Sequence, residues 1–86
     1  MVRPNQRVNN LIMQVVENQL RDNLPPEAKQ TLDRLMCDGF SEETSKHLIG
    51  SAIVTEMYHV LKSSKPFSAE RYLKLLNMLP ELPESE

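Results

Sequence analysis

Proline divides this chain. Pro4, the pair Pro25 and Pro26, Pro66, and Pro80 with Pro83 stand a helix length or two apart, and proline interrupts helix interiors and central strands alike. Between these breaks apolar residues recur at three- and four-residue spacing, and no stretch alternates at a period of two. The chain therefore reads as all-α, a compact bundle of four helices at about 5–22, 26–38, 42–62 and 69–78.

Each helix has its own signals. Val8, Leu11, Ile12, Val15, Val16 and Leu20 form one stripe on the first, which Asn23 and "LPP" end. Pro26 suits the opening turn of the second, with Leu32, Leu35 and Met36 as its apolar face. Gly39 stops that helix in a left-handed turn, with Phe40 expected to fold back onto Leu35. Ser41 then caps the third helix, and Glu42 and Glu43 favour its positive end.

Projected at 100° per residue, the third helix puts Ile49, Ile53, Val54, Met57, Val60 and Leu61 on one broad face, as the central element. Gly50 and Ser51 lie inside it, where glycine costs about 1 kcal/mol against alanine, so a neighbouring helix is expected to cross closely there. Phe67 and Tyr72 flank the cap Ser68 as a hydrophobic staple and open a fourth helix carrying Leu73, Leu75, Leu76 and Met78. Residues 1–78 read as one helical domain and 79–86, "LPELPESE", as a disordered acidic tail.

Composition narrows the function classes. With no Trp and five Met, the core is aliphatic and soft. A net charge of -2 gives no global attraction to nucleic acid or anionic lipid. No apolar run approaches the roughly 20 residues of a membrane span, and "MVRPNQRVNN" offers no signal peptide. With a single cysteine, Cys37, there is no disulfide framework, and the expected location is the cytoplasm.

The stretch "MCDGFSEETSKHLIGSAIVTEMYHVL" holds that cysteine and both histidines. Glu43 and His47 are four apart on one helix face, and Glu56 and His59 make the Glu-x-x-His step of di-iron carboxylate bundles. Such bundles need two of these steps, and here there is one. His47 and His59 lie about 18 Å apart along one helix, turned about 120° from each other, so they cannot share an ion within one chain. Glu17 is the carboxylate a neighbouring helix could bring to His47, from the flank of its stripe. The metal reading therefore centres on Glu17, Glu43 and His47, with a divalent transition metal as the cofactor. Against it stands the plain reading of His47 as a half-buried histidine with a hydrogen-bonding partner, and of Glu56 and His59 as a solvated face. Lys62, Lys65, Arg71 and Lys74 read likewise as a solvated basic cluster.

Other chemistries lack their parts. In an H-E-x-x-H frame residues 43–47 read "ETSKH", with Thr44 where the general base belongs. Cys37 and His47 have no oxyanion-forming loop between them. "LMCDGFSEETSKHL" has the outline of a helix-turn-helix, yet its second helix opens with Glu42 and Glu43, which would face phosphates, and Arg34 stands where that motif wants an apolar residue. No catalytic residue and no nucleic-acid or membrane partner is assigned.

The blocks "VVENQL", "NLPPEAKQTLDRLMCDGFS", "HLIGSAI" and "KPFSAERYLKLLNMLP" occur in an order that resembles a family of small bacterial all-helical proteins classed as a domain of unknown function. The resemblance spans about residues 11–80. It implies a bacterial cytosolic protein and no established activity. The family pattern also has histidines at the positions of Met13 and Glu43 and an acid at that of Thr44, which implies a ligand set between the first and third helices. This chain keeps Glu17 and His47, with Glu43 as a substitute ligand.

The expectation is a non-enzymatic module that acts through protein-protein contact or self-association, a homodimer in its simplest form. Nine apolar residues from Leu48 to Leu61 exceed what three short helices can cover.

Overall fold

The computed structural model describes residues 6–81, and side chains from residue 10 onward. Among the described residues the elements are α1 (Gln6–Asp22), α2 (Pro26–Cys37), α3 (Glu42–Ser63) and α4 (Ala69–Met78), with no strand. The all-α four-helix bundle read from the proline spacing is the architecture observed. Residue 5 and the side chain of Val8 lie outside the described residues.

The helix ends follow local chemistry. Asn23 takes φ 55° after α1, and the Leu24 N–H donates to the Gln19 carbonyl at 3.0 Å. At the end of α2, Gly39 takes φ 108° and its N–H reaches the Met36 carbonyl, while the Phe40 N–H reaches that of Leu35, both at 3.1 Å. This is the Schellman arrangement, and Phe40 packs against the core behind it. Ser41 Oγ accepts from the Thr44 N–H at 3.1 Å, and Ser68 Oγ from the Arg71 N–H at 3.2 Å. The Phe67 and Tyr72 rings stand 6.0 Å apart across the second cap, which completes the staple.

α3 packs against all three other helices. Glu17 meets Lys46 and Ile12 meets Gly50, so α1 and α3 run in opposite directions. A Cβ on Gly50 would stand 3.1 Å from Ile12 Cγ2, so glycine sets the close approach expected there. Val16, Leu35, Ile49, Leu76 and Leu79 are fully buried at the centre.

All four helices differ in part from the projections. On α3, Ile49 and Ile53 are buried, but Val54, Met57 and Leu61 are exposed and Val60 is half-buried. Their places are taken by Ser45, Ala52 and Glu56. The helix is turned because Gly50 admits α1 on one side while Arg71 of α4 draws the Glu56 carboxylate inward on the other. On α1, Ile12 and Val16 are buried while Leu11 and Val15 are exposed, since the crossing at Gly50 takes only one narrow strip of the helix. Met36 and Met78, at the ends of α2 and α4, are also exposed.

Leu79, assigned to the tail on sequence grounds, is 2 % exposed and belongs to the core. Arg34 holds it there: Nη1 donates to the Leu79 carbonyl and Nη2 to that of Leu76, both at 2.9 Å. The guanidinium fork thus serves two carbonyls at the end of α4, that of Leu76 also accepting the Leu79 N–H at 3.2 Å. Residues 82–86 of the expected tail lie outside the described residues.

Candidate functional site

Because Gly50 has no side chain, α1 settles low on α3 and leaves a cleft along one flank of the contact. Its apolar part, about 300 Å³, runs from Ile12 and Met13 across to Ser51, Val54 and Thr55. A polar part of about 300 Å³ continues toward the opening of α3 and is lined by Glu17, Glu42, Glu43 and Lys46. Met13 and His47 line both parts and form the step between them.

The sequence-derived ligand candidates Glu17, Glu43 and His47 therefore share one lining. The fold also adds Lys46, which the sequence reading passed over. Its Nζ donates to the Glu17 carboxylate at 2.9 Å and lies 3.4 Å from that of Glu42. The hydrogen bond to Glu17 raises the Lys46 pKa; burial opposes this, and the Glu17 and Glu42 charges add to the rise. The lysine occupies the electrostatic place a cation would take beside Glu17. Among the described residues no group of three or more His, Cys, Asp or Glu side chains is placed to hold a metal ion.

His47 is exposed rather than half-buried, and its carbonyl accepts from Ser51 Oγ at 3.1 Å. Its place on the flank of α3 away from the core gives it solvent instead of a buried partner. Cys37 is exposed at the end of α2.

Glu56 is the residue for which the solvated-face reading fails. It is fully buried, accepts from the Ser68 N–H at 3.0 Å, and pairs with Arg71 Nη2 at 2.9 Å and Nε at 3.1 Å. Burial pushes its carboxyl up, but the bonds from Arg71 and Ser68, the Arg71 charge and a smaller effect of His59 more than reverse this and hold it below the usual carboxylate range. Arg71 thereby leaves the expected basic cluster and becomes an internal strut. Its acceptors among the described residues, the Glu56 carboxylate and the Pro66 carbonyl, come from the α3–α4 corner, so the pair braces the fold rather than facing the cleft.

From Val54 at the cleft's edge, α3 goes on to present Met57, Tyr58 and Leu61 to solvent, with Leu61 80 % exposed. Lys62 Nζ sits 5.7 Å from the centre of the Tyr58 ring. No helix among the described residues is long and apolar enough to cross a membrane.

Comparison of the chain with family models, with curated proteins and with solved structures finds no match.

Proposed function

We propose that this chain is a non-enzymatic protein-contact module whose working surface is the outer face of α3 and the cleft beside it, with self-association as its simplest form. The observation that carries this reading is the exposure of Val54, Met57, Tyr58 and Leu61 on consecutive turns of one helix. Adjacent exposed apolar side chains mark contact surfaces, whereas scattered ones do not. Glu42 and Glu43 at the head of the same helix disfavour a phosphate backbone as the partner. A bacterial cytoplasmic setting accompanies the reading and rests on the sequence blocks that resemble the helical family. Native mass spectrometry of the untagged protein over a range of concentrations tests it. An assembly that Leu61→Glu dissolves, with helicity unchanged, supports the reading. A strict monomer at every concentration removes self-association, and one that also binds no other protein through this face overturns the reading.

A second reading is a divalent transition metal held by Glu17, Glu43 and His47, favoured by their shared lining of the polar cleft. It requires Glu17 to exchange its Lys46 partner for the ion. The same spectrum, recorded with added zinc, tests it: a stoichiometric adduct lost in His47→Ala supports metal binding, and equal metal content in the variant ends it.

A further inference from the structure

We infer that the occupant of this surface is a second copy of the chain, docked so that the two α3 helices run antiparallel and the Leu61 side chain of each seats against Ser51 in the cleft of the other. The inference rests on the protein-contact reading and names its partner.

The first support is periodicity. His47, Ser51, Val54, Tyr58 and Leu61 are all exposed and follow one another at spacings of four, three, four and three residues. That is a mean of about 3.5, the repeat that keeps a seam facing another helix. What sets this strip apart from a solvated face is that Val54, Tyr58 and Leu61 in it are apolar and exposed.

Shape is the second support, because the seam has one protruding and one hollow end. Leu61 is the most exposed large apolar side chain of the described residues at 80 %, while Ser51 is small and lines the apolar cleft that Gly50 creates. The two are ten residues apart, about 15 Å along the helix. An antiparallel pair that sets Leu61 over Ser51 of the second copy also sets Val54 beside the second copy's Tyr58. Each layer then joins a larger side chain to a smaller one, and the two-fold symmetry repeats both contacts.

Charge is the third support and fixes the direction. α3 opens with Glu42 and Glu43 and closes with Lys62, and Lys65 follows its cap. In the antiparallel register the end of α3 that carries Lys62, with Lys65 just past its cap, runs toward the Glu42 and Glu43 end of the second copy. A parallel pair would instead set acidic ends together and basic ends together, which costs binding energy. The features required of the occupant, a projecting leucine with a cation beyond it, are those this chain carries.

Cysteine cross-linking in a Cys37→Ser background tests the geometry. A mixture of Ser51→Cys chains and Leu61→Cys chains is expected to form a disulfide-linked dimer under mild oxidation, and neither variant alone is. Independently, Glu43→Lys and Lys65→Glu are each expected to raise the dimer Kd about tenfold, and the double variant to return it toward wild type. A dimer in which Leu61→Cys alone cross-links, or in which the charge exchange restores nothing, overturns the antiparallel register while leaving the protein-contact reading in place. A chain that stays monomeric, or that binds only a different protein through this face, overturns the second copy as occupant. Monomer throughout with no protein bound removes the contact reading as well.

Discussion

The Glu56 carboxylate of α3 and the Arg71 guanidinium of α4 lock two helices through one buried charge pair. Glu56 is fully buried and Arg71 is 39 % exposed, so the carboxylate depends on its partner far more than the reverse. The same carboxylate accepts the Ser68 N–H at the head of α4, which fixes the angle at which α4 turns back. One side chain thereby closes the corner.

Breaking that corner is expected to be asymmetric. Arg71→Ala leaves a buried carboxylate with the Ser68 N–H as its remaining partner among the described residues, and is expected to be the more destabilising change. Glu56→Gln keeps the shape and the bond to Ser68 and is expected to cost less. Urea unfolding at neutral pH ranks the two, and equal costs would show that the charge of Glu56 is not what Arg71 holds.

Acid should act through the same group. The folded pKa of Glu56 lies below its ordinary value, so its contribution is fully present above the unfolded pKa of about 4.3 and is lost as pH falls through the folded value. Stability of the wild type is expected to drop below about pH 4 more steeply than that of Glu56→Gln. Parallel curves for the two proteins, from urea midpoints across the acid range, would assign the acid loss to other carboxylates.

Tyr72 works in the opposite pH range. It is 2 % exposed, its hydroxyl donates to Gln19 Oε1 at 2.7 Å, and burial pushes its pKa up to about 12, with the hydrogen bond opposing. Because the folded value is raised, stability is unaffected below the unfolded pKa of about 10 and falls as pH rises from there toward 12. Tyr72→Phe is expected to lose about 1 kcal/mol at neutral pH and to flatten the alkaline decline. Ultraviolet titration checks it directly: a Tyr72 phenol that ionises near the ordinary value of about 10 would show an open site.

The bundle and its caps were legible in the sequence because they depend on neighbours a few residues away. Gly39 with Phe40, Ser41, and Ser68 between Phe67 and Tyr72 each carry their own instructions. Gly50 also gave a correct long-range signal, since a glycine inside a helix needs a packing reason. The rotation of α3 was hidden. Periodicity assigns apolar residues to the core, whereas here a carboxylate goes in and Leu61 stays out. That choice depends on Arg71, fifteen residues beyond Glu56. Arg34 was hidden for the same reason, because its acceptors are the carbonyls of Leu76 and Leu79 at the far end of the fold. Of the cleft, the sequence pointed to Glu17, Glu43 and His47, but Lys46 between them has a partner only once α1 and α3 are side by side.

Ser45 offers the last test, since its burial has no compensation in view. It is fully buried on α3, and its Oγ has no hydrogen-bond partner among the described residues. A hydroxyl removed from water without a partner costs about 1–3 kcal/mol, and serine is a slightly poorer helix former than alanine. Ser45→Ala removes the hydroxyl and leaves a space smaller than a methyl group. The variant is expected to be more stable than wild type by about 1 kcal/mol, read as a higher urea midpoint at an unchanged slope. A loss of stability instead would mean that the hydroxyl bonds back within α3 or to a bound water, and that its burial is satisfied after all.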